Sequence, residues 1–317
     1  MRFWQIPKRL RESGILGMNQ RNADYIMRYN PRRLYPLVDD KLKTKRLAIE
    51  HQIAVPKLYG VVETQHNAQS MEKLLEGLDE FVIKPAHGSG GNGILVVDGR
   101  IGKNYHKPSG ELLTEAHIKH HTSNILSGMY SLGGIPDKAI IEYRVQFDPI
   151  FEHITFQGVP DLRVIVFQGV PVTAMMRLPT RESDGKANLH QGAVRIGIDL
   201  TTGVSHGGVY HDRLITHHPD TGYLTQELQI PHWQDILRLS IRCAATVGLG
   251  YLGVDIVMDR DLGPLMLELN ARPGLNVQLA NQAGLLNKLT YLESLSSLPA
   301  NVDDRMELAQ NLSQQVN

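Results

Sequence analysis

Only one cysteine, Cys243, stands among the 317 residues. An internal disulfide framework is therefore excluded, and the Ala-rich helical stretch around the thiol marks it as a buried structural group. Net charge is missing too: 33 Lys and Arg offset 33 Asp and Glu. That balance argues against nucleic-acid binding as the main task, which leaves a strongly basic face. No apolar run reaches membrane-spanning length. The opening MRFWQ lacks the apolar core of a secretion signal, and neither an internal repeat nor a low-complexity segment is present. What remains, at 42% hydrophobic content, suffices for one large domain or two smaller ones. The expectation is a soluble, cytoplasmic protein with no nucleic-acid partner and no membrane span, in which homo-oligomerisation is left open.

The chain is organised around Gly263–Gly274, GPLMLELNARPG. A turn opens an apolar strand, which breaks at Ala271-Arg-Pro-Gly274. Residues two apart on a strand share a face, so Glu268 and Asn270 project together while Leu267 and Leu269 point the other way. Upstream, Tyr251–Asp259 reads as a second strand carrying Asp255. A hairpin of the two brings Asp255, Glu268 and Asn270 together as three oxygen donors, a hard-cation site of the Mg²⁺ kind. The competing account is an edge hairpin with a solvated polar face.

Residues 2–12 are basic with two aromatics and read as a cap on the fold, with Pro7 splitting any helix there. A short helix is expected between Asn22 and Tyr35. Asp39 and Asp40 are capping candidates for a helix running to His51. Leu58–Glu63 reads as a strand, Ser70–Leu78 as a helix and Phe81–Pro85 as a strand ending on Lys84. The loop after it, AHGSGGNG, holds four glycines between Gly88 and Gly93 and leads into the strand Ile94–Val97. Such a loop lets backbone N–H groups approach phosphate oxygens, although neither the Walker nor the Rossmann spacing is met. Residues 98–138 read as a polar connection with one helix around Glu111–Leu126. Its histidines 106, 117, 120 and 121 fit no zinc spacing and are taken as surface residues.

Strands follow at Ala139–Val145, Asp161–Phe167 and Val170–Leu178, the last two joined by a turn at Gln168-Gly169. Arg163 and Arg177 thus fall on adjacent strands where they can share a face, either for an anionic ligand or for a structural pair with Asp161 or Glu182. Asn188–Ala193 reads as a site loop, and His217 and His218 as turn residues. Trp233–Gly248 is an amphipathic helix, and the tail after Pro299 reads as polar, ending in a loosely held helix.

In chain order, Asp40-Lys41, Phe81-Val-Ile-Lys84-Pro85, the glycine loop, Ile141-Glu142-x-x-Val145, Asp161-x-Arg163, Arg177, Asn188-x-His190-x-Gly192, Asp255 and Glu268-x-Asn270-x-x-Pro273-Gly274 resemble the ATP-grasp ligases. Within them the pattern is similar to the glutamate ligases that modify a ribosomal protein, in particular the α-L-glutamate ligase-like proteins. Residues 205–274, with His218-Pro-Asp-Thr-Gly222 and Ile230-Pro-x-Trp233, also resemble the ATP-grasp proteins associated with sugar transfer.

The resemblance implies an α+β fold, with two α/β subdomains gripping ATP between antiparallel sheets. They would span 39–138 and 139–298, after an N-terminal arm (1–38) and before a polar tail (299–317). It implies that Lys41, Lys84 and the backbone of Ser89, Gly90, Gly91 and Gly93 contact the phosphates. Glu142 and Val145 would frame the adenine, and Asp148 would reach the ribose. Asp255, Glu268 and Asn270 would hold Mg²⁺, as two ions and with Mn²⁺ as an alternative. Arg177, Arg163 and Asn188 would attend the transferred phosphoryl group. The implied activity is an ADP-forming carboxylate–amine ligase, taking an amino acid, peptide or protein terminus and possibly glutamate as the amine. The alternatives are an ATP-grasp kinase and a non-catalytic nucleotide-binding partner of an envelope or polysaccharide system. The ribosomal-protein ligases carry a full α/β domain before the first lysine, where forty residues stand here. The connections before Ala139 and before Asp161 are also longer, which makes them substrate lids or partner surfaces.

Overall fold

A computed structural model describes residues 6–88 and 90–315. Ser89 of the glycine loop, Met1–Gln5 of the basic arm and the last two residues lie outside the described residues. The strands are β1 (Leu58–Val62), β2 (Phe81–Pro85), β3 (Leu95–Val97), β4 (Gly99–Ile101), β5 (Asn104–His106), β6 (Leu112–Leu113), β7 (Ala139–Glu142), β8 (Asp161–Phe167), β9 (Val170–Leu178), β10 (Val194–Ile198), β11 (Val204–Tyr210), β12 (Arg213–Ile215), β13 (Gln226–Gln229), β14 (Tyr251–Asp259) and β15 (Gly263–Asn270). They form a four-stranded sheet, β1-β7-β2-β3, and a three-stranded one, β4-β5-β6. An eight-stranded sheet runs β12-β11-β10-β9-β8-β14-β15, with β13 beside β11. The pairings are antiparallel, and helices cover the sheets, so the fold is α+β as expected.

Four strands of the large sheet come from two tight hairpins. Gln168 and Gly169 join β8 to β9 with φ of 49° and 80°, the doubly positive turn whose twist matches the flanking strands. Asp259 Oδ1 accepts from the N–H groups of Asp261 and Leu262, 3.0 Å each, which starts the turn from β14 into β15. Alternation then divides each strand between two faces. Leu162, Val164 and Val166 of β8, with Ala174, Met176, Val254 and Ile256, bury against the helix Trp233–Val247. Cys243 lies in that helix and is buried; burial pushes its thiol up to about 12. On the other face Ile165, Phe167, Met175 and Tyr251 pack beneath Tyr25, Ile26, Val277, Leu289 and Leu312. Beyond this apolar patch the same face turns charged at Asp161, Arg163, Arg177 and Asp255.

Several elements differ from expectation. Pro7 does not split a helix: it stands second in Ile6–Glu12, a first-turn position where the missing N–H costs nothing. The helical stretch after it begins at Met18 and contains a π turn, Arg21–Ile26. At its end, Asn30 accepts from Tyr251 N–H (2.8 Å) and donates to the carbonyls of Tyr251 and Ala271 (2.7 and 2.9 Å), clamping β14. Of the stretch read as one helix, Ser70–Leu78, only Glu72–Leu75 is helical, and a second short helix, Gln65–Gln69, precedes it. The connection before Ala139 contains β4–β6 as well as the helix Glu115–Leu126. The strand expected to reach Val145 ends at Glu142, because residues 143–148 cross to the large sheet: Asp259 Oδ2 accepts from Gln146 N–H (2.9 Å), and Asp148 N–H donates to the Met258 carbonyl (3.1 Å). The tail is not loosely held. Val302–Gln315 is a helix that buries Met306, Ala309 and Leu312, spaced three apart on one stripe, against the sheet. Among the described residues no helix is long and apolar enough to cross a membrane.

Candidate active site

The charged row on the large sheet follows from its register. Asp255 stands directly opposite Glu268 on one side and Arg163 on the other, and Asp161 stands opposite Arg177. Directly opposed residues share a face with Cβ atoms about 5 Å apart. Arg163 grips Asp255 bidentately, Nε to Oδ1 at 2.7 Å and Nη2 to Oδ2 at 2.6 Å. Arg177 grips Asp161 in the same way at 2.5 Å and reaches Asp255 Oδ2 at 2.9 Å. The alternative of a structural pair with Asp161 therefore holds for Arg177, while Glu182 is occupied by Tyr210 and His211. Each guanidinium keeps an Nη1 with no hydrogen-bond partner among the described residues.

Burial alone would raise the Asp255 carboxyl, but the flanking Arg163 and Arg177 guanidiniums hold it well below the usual carboxylate range. Asp161 moves the other way: burial, with Asp255 nearby, outweighs Arg177 and pushes it up to about 6. Burial would lower the Arg177 guanidinium, yet its two carboxylates hold it above its ordinary value. Arg177 is thus cationic at any working pH.

The small sheet faces this row with its own charges. Lys84 and Lys45 both converge on Glu142: Lys84 Nζ is 2.5 Å from Oε1 and Lys45 Nζ 2.6 Å from Oε2, all three side chains being buried. Burial pulls Lys45 down to about 8, with Glu142 opposing and Lys84 adding to the fall. Lys84, expected on the phosphates, is thereby committed to Glu142. Lys45 was not anticipated; its position four residues after Lys41 on the helix Lys41–Glu50 was the available signal. Lys41 itself bridges the two sheets, donating to the Gly88 carbonyl at 2.6 Å and lying 3.7 Å from Glu268 Oε2.

The glycine loop is anchored at both ends. His87 Nδ1 lies 2.7 Å from Asp137 Oδ1, and its N–H donates to Oδ2 at 2.9 Å. Gly90, Gly91 and Gly93 have φ of 65°, 79° and 76°, backbone that other residues adopt at a cost. His121 Nε2 lies 3.0 Å from the Gly93 carbonyl. His106 pairs with Asp98, and His117 closes the capping box of its helix, so these two and His121 have specific structural partners. Asn188 donates to the Gly90 carbonyl at 3.1 Å and accepts from His190 N–H, bringing its loop onto the glycine loop. Val145 and Asp148 lie on the crossing segment, where Asp148 Oδ1 caps Ile150 N–H. His218 is a turn residue, its Nε2 against the Pro179 carbonyl.

Asp255, Glu268 and Asn270 can be tested as a cation site. Among the described residues no set of three or more His, Cys, Asp or Glu is arranged for a metal ion, and this set has two carboxylates and a carboxamide. Asn270 Nδ2 lies 3.2 Å from Asp255 Oδ2, so all three side chains share the face. Asp255 Oδ2 already takes three N–H groups, whereas Oδ1 takes one and keeps a lone pair. With Glu268 37% exposed and Lys41 3.7 Å from its Oε2, the set offers one accessible carboxylate, one amide oxygen and part of a second carboxylate. These hard oxygen donors fit Mg²⁺.

Comparison with known proteins agrees with this architecture. The chain is 26% identical over 238 residues to a probable alpha-L-glutamate ligase of Maridesulfovibrio salexigens, covering 74% of this chain and 56% of that protein. It thus spans little more than half the length of that relative. Among solved structures it is similar to a biotin carboxylase–ATP-analogue complex from Campylobacter jejuni, with 15% identity, a TM-score of 0.53, and coverage of 84% of this chain and 48% of that one. The biotin carboxylase domain of the Hydrogenobacter thermophilus 2-oxoglutarate carboxylase, solved with MgADP and bicarbonate, matches with 13% identity and a TM-score of 0.52, over 86% of this chain and 49% of that one. These likenesses show the fold. The model of the sugar-transfer associated ATP-grasp family matches residues 20–294, and the chain belongs to that family.

Proposed function

We propose that the protein is an ATP-dependent carboxylate–amine ligase. One observation carries this reading: Lys41 joins the glycine loop to Glu268, beside a sheet face on which Arg163 and Arg177 are fixed by Asp161 and Asp255. Phosphoryl transfer asks a protein chiefly to position groups and neutralise charge, and these residues do both. The glycine-loop N–H groups and Lys41 hold the polyphosphate. Lys84 and Lys45 fix Glu142 beneath the nucleotide, while Val145 and Asp148 line the crossing segment where adenine and ribose lie. Glu268, Asn270 and Asp255 would hold Mg²⁺, which supplies neutralisation of phosphate charge when bound. The free Nη1 groups of Arg177 and Arg163, with Asn188, face the transferred phosphoryl group.

In the reaction a substrate carboxylate oxygen attacks the γ-phosphorus and the bond to ADP breaks, leaving an acyl phosphate. The amine nitrogen then attacks the acyl carbon, inorganic phosphate departs, and the nitrogen loses a proton to give the amide. Glutamate is the amine favoured by the similarity to the probable alpha-L-glutamate ligase of Maridesulfovibrio salexigens. Hydroxylamine distinguishes this from phosphorylation of a hydroxyl group, because it captures an acyl phosphate as a hydroxamate. Amino acids and peptides are incubated with the protein, MgATP and hydroxylamine. A hydroxamate that requires both ATP and a carboxylate is expected; ADP formation with no hydroxamate from any of them would refute the ligase reading.

A further inference from the structure

Arg195, on β10, stands directly opposite Arg177 on β9. The two guanidinium-bearing residues therefore share the face of the charged row, in a position where like charges repel. Only one is compensated. Arg177 has Asp161 and Asp255, whereas the one carboxylate within ion-pair distance of Arg195 among the described residues is Asp212, at 3.7 Å. The Arg195 side chain is 8% exposed and that of Asp212 fully exposed, so solvent screens the contact. Its remaining partners are neutral. Nη1 donates to Asn276 Oδ1 at 3.2 Å, Nη2 donates to the His211 carbonyl, and Nε is buried with no acceptor. A buried cation with an idle donor and no buried counter-ion is a costly arrangement. Burial accordingly pulls the Arg195 guanidinium below its ordinary value.

We propose that Arg195 is the receptor for a carboxylate of the acceptor substrate, an assignment that rests on the ligase reading. A carboxylate matches a guanidinium edge bidentately and would supply the missing counter-ion and the acceptor for Nε. The location suits the chemistry. Neighbouring strands lie about 4.8 Å apart, and β10 is on the far side of β9 from β14 and β15. An acceptor held there reaches the Arg177 position from the side away from Glu268 and Asn270. The cover over Arg195 is the exposed turn at His211 and Asp212, where His211 has a φ of 51°. Glu182 holds that turn through Tyr210 and His211, so substrate entry displaces a solvent-facing contact rather than core.

Glutarate serves as the dicarboxylate probe, titrated calorimetrically at fixed ionic strength into protein saturated with magnesium and a non-hydrolysable ATP analogue. The wild type is expected to bind it at least about tenfold more tightly than Arg195→Gln, as for loss of a charge-assisted contact. Melting adds an independent readout. Without glutarate, Arg195→Met should melt at the wild-type temperature or above it, because it removes a buried charge lacking a buried partner. With glutarate, the wild-type melting temperature should rise and that of Arg195→Met should not. Glutarate binding that is absent, or equal in wild type and Arg195→Gln, overturns the proposal, as does Arg195→Met melting well below wild type. Failure of the ligase reading would show separately, as a stable phosphorylated product during turnover, whatever the glutarate titration gives.

Discussion

At Asp255 one carboxylate accepts hydrogen bonds from two arginines and an asparagine, while its neighbour Glu268 meets, among the described residues, only Lys41, at 3.7 Å. The two residues look equivalent as metal ligands in the sequence, and their substitutions should behave differently. Asp255→Asn leaves Arg163 without a counter-ion in a buried place and should destabilise the fold by about 3–5 kcal/mol. Glu268→Gln should change the melting temperature little yet abolish turnover and weaken Mg²⁺ binding. Thermal melts of both variants check the contrast, and equal stability losses would contradict it. Lys45 supplies a pH test. Its folded-state value near 8 lies below the ordinary lysine value of 10.5, so between those pH values the unfolded chain holds more protons than the folded one. Stability contributed at Lys45 therefore rises with pH across that window. Relative to Lys45→Met, the wild type should gain on the order of 2 kcal/mol between pH 7.5 and 10, read by denaturant melts at each pH. A flat difference would place Lys45 in a solvated environment.

At the scale of elements, the strands that carry the site were legible because they are long and alternate: β8, β9, β14 and β15 lie where the pattern placed them. The partners of Arg163 and Arg177 were not, since register decides whether Asp161 or Glu182 can reach them and composition does not set register. Strands β4–β6, of two or three residues each, are too short for a period to show. The C-terminal helix was legible but its docking was not, because its buried stripe is reduced to Met306, Ala309 and Leu312. The glycine loop was visible as composition, but its anchors, His87 on Asp137 and His121 on Gly93, join residues 50 and 28 positions apart. Within that loop Gly93→Ala meets two obstacles, a φ of 76° and a Tyr130 ring carbon 2.5 Å from the added Cβ. It should cost more than the roughly 1 kcal/mol of a positive φ alone and loosen the nucleotide site. Gly222→Ala, with a φ of 70° and open space, is the control. Comparable losses of stability in the two would show that Tyr130 yields freely.

For the molecule as a whole, two antiparallel sheets are joined by residues 143–148 and by Lys41, and the charged row faces the glycine loop across the gap between them. In the reaction proposed above, this arrangement activates a carboxylate rather than phosphorylating a stable acceptor. Arg177 is the group whose removal should affect chemistry most, by about a hundredfold or more in turnover with a much smaller change in ATP affinity. Because Arg177→Ala also strands Asp161, its activity is to be measured well below its melting temperature. Phosphorus NMR of the reaction with a hydroxamate-forming substrate tests the claim most directly. ADP and free inorganic phosphate are expected to appear one to one, with no AMP and with the rate suppressed in Arg177→Ala. A persistent phosphorylated product without free phosphate would contradict it.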